Sequence, residues 1–121
     1  MSQDVSVKLK HNNDGKLIEE CEYLGEVLQG KRTIWHPSGV KISEIDFIQG
    51  VMQGNQTSWY LTGHIALTAT VAQGNYHGLY TAYWANVEMR EQGHFDKGER
   101  TGVFKSCSDN GELLAEKNYD Q

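Results

Sequence analysis

The sequence has one proline, two cysteines and no long apolar segment, and each scarcity excludes a class of protein. Without a run of about 18 apolar residues there is no candidate membrane-spanning helix, and the polar stretch from Met1 to Gly15 lacks the apolar core of a signal peptide. We therefore expect a cytoplasmic protein that does not contact a membrane. Cys21 and Cys107 lie outside CxxC and CxxH spacings, so we expect both to be reduced and structural.

Positive charge is also scarce. Eleven Lys and Arg residues face sixteen Asp and Glu residues, which gives a net charge of −5, and the basic residues are scattered along the chain. Nucleic acids and anionic lipids are bound by clustered Lys and Arg side chains. We therefore expect no nucleic-acid partner and no lipid partner.

Glycine, in contrast, is abundant, and eleven of its thirteen copies follow a fixed period. Three series of glycines each have a step of 24 residues: Gly30, Gly54, Gly78 and Gly102; Gly50, Gly74 and Gly98; and Gly15, Gly39, Gly63 and Gly111. The third series has Val87 at its missing position. Self-similarity at a fixed period is the signature of a repeat protein. The sequence therefore predicts five tandem copies, at about 2–25, 26–49, 50–73, 74–97 and 98–121, within a single domain that spans residues 1–121.

Two further series keep this period and indicate strands. An apolar series runs through Tyr23, Phe47, Val71, Phe95 and Tyr119, and an aromatic series through Trp35, Trp59 and Tyr83 ends at Cys107. Around Phe47 the sequence alternates between apolar and acidic residues, which is the period of a β-strand. Turn formers such as Asp109-Asn110-Gly111 separate the strand segments. Each copy is therefore predicted to be one β-hairpin, and the apolar series is expected to form a stripe on one face.

An isolated hairpin is marginal in water, so the copies must stabilise one another edge to edge. The predicted fold is all-β, an elongated single-layer antiparallel sheet of about five stacked β-hairpin repeats. With up to ten strands at about 4.8 Å, the sheet would be nearly 50 Å long. The terminal copies are expected to act as caps that end the sheet without offering an adhesive edge.

The pattern of a glycine, an aromatic pair, a turn glycine and an apolar strand resembles the variant class of MORN repeats, which includes YwqK-like antitoxins. The best copies are 54–74, with Trp59-Tyr60, and 78–98, with Tyr83-Trp84. The resemblance covers nearly the whole chain and implies a MORN-like solenoid, but it indicates function only weakly because such units serve many roles. Some positions depart from the pattern: Ser6, Glu26, Val87 and Cys107. Since Val87 is internal, we predict that the turn after Trp84 has a different shape.

The stretch from Phe47 to Val87 contains no Asp, Glu, Lys or Arg, although the chain's average would place about nine there. The same stretch is rich in aromatic residues, as the centre of a protein interface is. The candidate partner-binding residues are Trp59, Tyr60, Tyr76, Tyr80, Tyr83 and Trp84. Because adjacent strand residues point to opposite faces, we expect Tyr60 and Trp84 to lie opposite Trp59 and Tyr83. The alternative is that these aromatics only fill cross-strand ladders.

An acidic ladder adds two candidates. Glu20, Glu22, Glu44 and Asp46 are expected on the face opposite the apolar stripe, where such a run is usually a solvated surface. If the ladder has a role, Glu22 and Asp46 would steer a basic protein partner such as a toxin.

Catalytic signatures are lacking. The five histidines show no metal-binding or catalytic spacing, and Ser38-Gly39 is a turn without the GxSxG pattern of a nucleophile. We therefore expect no enzymatic activity, no catalytic residue, no cofactor and no metal. The sequence favours a non-enzymatic protein-binding module of the antitoxin or immunity type. The alternatives are a self-associating scaffold that uses the uncharged central copies, and a carbohydrate-binding module that uses exposed Trp and Tyr.

Overall fold

A computed structural model describes residues 4–120, and this part of the chain is one open sheet of ten antiparallel strands in chain order. The strands are β1 (Val5–His11), β2 (Leu17–Leu24), β3 (Val27–Trp35), β4 (Lys41–Ile48), β5 (Val51–Trp59), β6 (Ile65–Ala72), β7 (Asn75–Tyr83), β8 (Met89–Asp96), β9 (Glu99–Cys107) and β10 (Leu113–Asn118). The predicted all-β antiparallel sheet is confirmed. None of the described residues belongs to a helix that is long and apolar enough to cross a membrane.

The cross-strand pairing defines two faces, because directly paired residues point to the same side of a sheet. One row of pairs runs through Cys21, Arg32, Ile45, Gln56, Ala69, Tyr80 and Gly93. We call the side that carries this row the core face. The other row runs through all ten strands, through Leu9, Glu20, Thr33, Glu44, Thr57, Thr68, Thr81, Gln92, Lys105 and Glu116. We call its side the outer face.

The apolar interior is thin and lies on the core face. The buried apolar residues are all there: Cys21, Ala69, Val71, Ala82 and Phe104. The predicted apolar stripe lies on this face as well, and the strands between its members add residues of their own, since Phe47 pairs with Met52 and Val71 pairs with Tyr76. The outer face buries only Thr33 and Thr81. The single layer therefore buries mostly small side chains and one large one, Phe104, while others such as Phe47 and Tyr80 stay partly exposed.

Each hairpin closes with a five-residue loop, and all five loops carry the same two backbone hydrogen bonds. In the second loop the His36 N–H bonds to the Val40 carbonyl at 2.8 Å, and the Gly39 N–H bonds to the His36 carbonyl at 2.8 Å. The fourth loop repeats both bonds at 2.7 and 3.0 Å, with Val87 in the place of the glycine. Val87 adopts a positive φ of 69°, as Gly39 does with a φ of 96°. The prediction of a different turn at Val87 was wrong, because the flanking strands impose the left-handed conformation on a β-branched residue.

Two-residue turns join successive hairpins. In Gln49-Gly50, Gln73-Gly74 and Lys97-Gly98 both residues have positive φ, as in the type I′ turns that match the twist of antiparallel strands. Side chains from the preceding odd-numbered strand form hydrogen bonds to these turns. The Gln49 N–H donates to the Gln29 side-chain oxygen at 2.7 Å, and the Gln73 N–H donates to that of Gln53 at 3.0 Å. Consecutive hairpins are thus tied together at this end of the sheet.

Candidate binding surfaces

The sheet separates the eight predicted partner-binding residues into four pairs. Tyr76 and Tyr80 lie on the core face, because they pair with Val71 and Ala69. Trp59 is the last residue of β5, and Tyr83 is the last residue of β7. Each lies two positions after an outer-face residue of its strand. The predicted residues therefore do not form one contiguous patch, and each group has a different environment. The remaining four are Tyr60 and Trp84, which start loops, and Glu22 and Asp46, on the outer face of β2 and β4.

Tyr76 and Tyr80 belong to an aromatic cluster on the core face. Their ring centroids are 5.5 Å apart, and they lie 5.2 and 5.3 Å from the centroid of Phe95. The cluster continues through Phe104 to Tyr119, with steps of 5.5 and 5.3 Å. Edge-to-face pairs of this kind stabilise a fold by about 0.5–1.5 kcal/mol each beyond the area that they bury. Burial raises the pKa of the Tyr80 hydroxyl above its ordinary value. These two tyrosines therefore belong to the fourth hairpin, and the cluster links it to the fifth through the contact between Phe95 and Phe104.

Sequence reasoning missed Arg100, which lies across the same cluster. Its guanidinium is 4.6 Å from the ring centroid of Phe104 and 3.2 Å from the Glu91 carboxylate. A second ion pair occupies the opposite flank of the core face, where Arg32 bonds to Glu19 at 2.9 Å. The Arg32 hydrogen bond lowers the pKa of the Glu19 carboxyl. The cross-strand register could not be read from the sequence in enough detail to find these pairs.

Trp59 and Tyr83 lie at the hairpin-loop end of the outer face. The Lys41 ammonium lies 5.4 Å from the Trp59 ring centroid, within the range of a cation–π contact. Shallow hollows of about 380 Å³ and 230 Å³ border Trp35 and Trp59. The same side of the sheet therefore presents partly exposed indole rings at equivalent positions of successive hairpins.

Tyr60 and Trp84 make specific bonds at the hairpin ends. The Tyr60 hydroxyl donates to the Tyr83 carbonyl at 2.6 Å, and the Trp84 indole N–H donates to the Cys107 carbonyl at 2.9 Å. Each side chain thus reaches the end of the corresponding strand in the next hairpin. Both residues follow the last residue of their strand, so strand alternation does not determine which way they point. Their geometry favours a structural role.

Glu22 and Asp46 cap irregularities in the neighbouring strands. The Glu22 carboxylate accepts a bond from the Lys31 N–H at 2.6 Å, and the Asp46 carboxylate accepts one from the Asn55 N–H at 2.9 Å. The pairing register shifts at each of these places. A Cβ atom on Gly54 would lie 2.7 Å from an Asp46 oxygen, so only glycine fits beside the carboxylate. The acidic side chains are therefore part of the sheet's construction.

The acidic ladder does lie on the face opposite the apolar stripe, as expected, but cations pair with two of its four members, Glu44 and Asp46. Lys31 pairs with Asp46 at 2.8 Å and with Glu44 at 3.5 Å, and Lys41 pairs with Glu44 at 2.9 Å. Burial alone would raise the pKa of the Asp46 carboxyl, yet the bonds from Lys31 and Asn55 lower it on balance. These pairs weaken the field that would steer a basic partner, so a steering role for Glu22 and Asp46 stays a prediction that their geometry does not favour.

The uncharged stretch covers three adjacent strands in the middle of the sheet. On the outer face of β5, β6 and β7 it presents Val51 and Leu79, which are 43% and 48% exposed, beside the threonine row of Thr57, Thr68 and Thr81. We call this outer surface of β5–β7 the central panel. No other part of the described chain covers it, because the sheet has one layer. The central panel is therefore an uncovered, uncharged surface with two exposed apolar side chains.

The remaining candidates for chemistry are dispersed. In the described residues no three His, Cys, Asp or Glu side chains are grouped so as to hold a metal ion. Cys21 is buried on the core face of β2, and burial is the main cause that raises the pKa of its thiol. Cys107 ends β9, seven strands from β2, so the two sulfurs are about 34 Å apart at the usual strand spacing.

In comparisons with known proteins, no family model, no curated protein and no solved structure matches the chain.

Proposed function

We propose that the chain is a MORN-variant-like repeat protein with a 24-residue period. The spacing of the strands supports this proposal: β3, β5, β7 and β9 begin at residues 27, 51, 75 and 99, a step of 24, and each spans nine residues. The five identical hairpin loops and the recurrent bonds to the connecting turns support it as well. Each copy would then be one hairpin, stabilised mainly by its two neighbours.

We further propose that the protein acts without catalysis, by binding a partner protein through the central panel. One observation carries this proposal, namely that three adjacent strands present an uncovered outer surface with no charged side chain and with exposed Val51 and Leu79. Depletion of charge and enrichment of aromatic residues are features of interface centres. Trp59 and Tyr83 border the panel and would supply the large contacts that dominate binding energy. Charged residues flank the panel on both sides and would form its rim.

The partner class that we propose is a protein toxin or effector that this chain neutralises as an antitoxin or immunity protein. The resemblance to YwqK-like antitoxins suggests this class, and a rigid sheet is suited to cover a partner's active surface without changing shape. A location in the cytoplasm is part of the proposal, since the toxin would act there.

A matched pair of substitutions tests the binding surface. Leu79→Lys places a cation on the β7 strand of the central panel, and Val103→Lys makes the same change at the equivalent outer-face position of the next hairpin, where 42% of the side chain is exposed. The product of the neighbouring gene is the first partner to test, by co-purification and by calorimetry. We expect Leu79→Lys to weaken binding at least about 100-fold and Val103→Lys to change it less than about threefold. Equal effects of the two substitutions would contradict the assignment of the panel.

Neutralisation has its own test. The neighbouring gene should arrest growth when it is expressed alone, co-expression of this chain should restore growth, and the Leu79→Lys variant should fail to restore it. If the neighbouring gene has no effect on growth, the antitoxin role loses its support even where binding is found.

A second candidate function is carbohydrate binding, and the hollows beside Trp35 and Trp59 favour it. They lie at positions 24 residues apart and are lined by equivalent residues, with Lys16 and Gly39 in one and Val40 and Gly63 in the other. Repeated aromatic walls suit a ligand that is itself a repeat, such as an oligosaccharide. Binding on a glycan array that is lost in Trp59→Ala, with Leu79→Lys unaffected, would favour this function over protein binding.

A further inference from the structure

The core face is only partly covered by its own residues. It carries all five buried apolar side chains of residues 4–120, but Phe104 is the only aromatic one among them. Phe47, Met52 and Tyr76 are partly open to solvent even though they lie on the most apolar side of the sheet. A sheet with one apolar face normally buries that face against a second layer. The described chain has no second layer, so the core face has the composition of a protein interior but nothing packs against it.

The charges nearest the centre of this face are distributed symmetrically. From β4 to β7 the core face has no charged side chain, and an ion pair closes each flank. Arg32 on β3 bonds to Glu19 on β2, and Arg100 on β9 bonds to Glu91 on β8. The boundary between β5 and β6 lies halfway between the two pairs. An uncharged centre with a polar rim on both sides is the anatomy of a protein interface.

We propose that a second copy of this chain covers the core face, and that the two sheets form a face-to-face two-fold dimer. A two-fold axis parallel to the strands at the boundary between β5 and β6 lays β5 on β6 of the second copy and β4 on its β7. The same rotation brings the Arg32–Glu19 pair opposite the Arg100–Glu91 pair of the second copy. Such self-matching is what an isologous interface requires, whereas an unrelated partner would not require the two flanks to match.

The available area fits a stable dimer. Strands β3 to β8 span about 29 Å across the sheet and about 26 Å along it, or roughly 760 Å² per copy, at usual strand dimensions. A typical stable interface covers about 800 Å² per partner. A hollow of about 400 Å³, lined in part by Met52, Val71 and Tyr76, leaves room for side chains of the second copy. Two packed sheets would be separated by about 10 Å, as in a β-sandwich.

Two neighbouring residues of β5 give a matched test. Gln56 lies on the core face between Ile45 and Ala69, and Asn55 points to the outer face opposite Thr70. Both side chains are polar and neither is buried, so lysine at either position should be compatible with the fold. In the dimer, Gln56→Lys would bury unpaired ammonium groups in the uncharged centre, while Asn55→Lys would leave its cation in solvent.

Sedimentation equilibrium and light scattering from about 1 to about 100 μM give the readout. We expect the wild-type protein and Asn55→Lys to be dimeric, and Gln56→Lys to raise the dimer dissociation constant at least about 100-fold. A wild-type protein that stays monomeric over this range would overturn the proposal, and so would a Gln56→Lys variant that dimerises as well as Asn55→Lys. Far-UV circular dichroism checks folding, and Ser58→Lys, on the same face, replaces Gln56→Lys if that variant unfolds. The outer-face substitution Leu79→Lys should leave the dimer intact, so this test succeeds or fails independently of partner binding.

Discussion

Replacing Val87 with glycine should stabilise the protein, which is an unusual expectation for a substitution that removes a side chain. Val87 holds a φ of 69° in the fourth hairpin loop, where the other four loops have glycine at φ values from 80° to 96°. Its N–H bonds to the Trp84 carbonyl at 3.0 Å, so the loop keeps the common geometry. The strain of a β-branched residue in the left-handed region is therefore retained in the folded state.

The magnitude follows from three contributions. An L-residue in the left-handed conformation costs about 1–2 kcal/mol relative to the right-handed one. Glycine avoids that cost, but the greater freedom of the unfolded chain takes back about 0.5–1 kcal/mol. The Val87 side chain is 57% exposed, so little burial is lost. The net gain should be about 0.5–1 kcal/mol, which corresponds to a rise of about 2–5 °C in the melting temperature of a chain of this size.

Urea denaturation, followed by circular dichroism, measures this gain. Val87→Ala removes the same methyl groups without relieving the backbone, so it should gain less than Val87→Gly. Gly63→Val is the reverse change, at a φ of 91° with open space around the glycine, and it should cost about 1–3 kcal/mol because strain is its main consequence. If Val87→Gly is less stable than the wild-type protein and Gly63→Val costs nothing, the loops do not share the conformation described above.

Three further predictions concern bonds that the sheet uses. Tyr60→Phe should lower the free energy of unfolding by about 1 kcal/mol, because it removes the hydroxyl that bonds to the Tyr83 carbonyl, and thermal denaturation measures it; an unchanged melting temperature would return Tyr60 to the list of binding residues. Asp46→Ala should cost about 1–3 kcal/mol, since the Asn55 N–H and the Lys31 ammonium lose their acceptor, and the urea midpoint reports it; a loss below about 0.3 kcal/mol would show that water replaces the carboxylate. Acid should weaken the sheet, because the bonds from Arg32 and Lys41 lower the carboxyl pKa of Glu19 and Glu44 from the usual 4.5. Their stabilisation is complete above that value and is lost as the pH falls through the lowered pKa values, at about 0.5–1 kcal/mol for each partly exposed pair; unfolding midpoints measured between pH 7 and pH 3 that do not fall would contradict these pairs.

The strands could be predicted from the sequence because their pattern is local. The alternation around Ile45 and Phe47 places apolar residues on one face whatever the neighbouring strand is, and the turn glycines mark where each strand must end. The order of the strands followed from the short turns, since a two-residue turn such as Gln49-Gly50 allows only an antiparallel neighbour. From these features the sheet could be predicted, and so could the position of the acidic ladder on the face opposite the apolar stripe.

The details that the sequence did not reveal depend on register. Glu22 and Asp46 looked like free surface charges, because nothing local indicates that Gly30 and Gly54 leave room beside them for a carboxylate. Tyr60 looked like a strand residue because the end of β5 cannot be placed to within one residue from a pattern. Val87 was expected to change its loop, but the two flanking strands determine the backbone there and the side chain tolerates the strain. For Glu22, Asp46 and Tyr60 a contact between hairpins overrode the local signal, and for Val87 the two strands of its own hairpin did.

The structure also decides whether the uncharged centre is a requirement of the fold or a property of this sequence alone. At one outer-face position of the even-numbered strands, the first, second and fifth hairpins have Glu20, Glu44 and Glu116, and the third has Thr68. The fold therefore accepts a carboxylate at this position. Two residues further along, Asp46 caps the strand irregularity in the second hairpin, while in the third Thr70 bonds to the His77 carbonyl. Charged and uncharged residues build the same sheet at both positions, so the geometry of the sheet does not explain the missing charge in β5–β7. A partner that buries this surface would explain it.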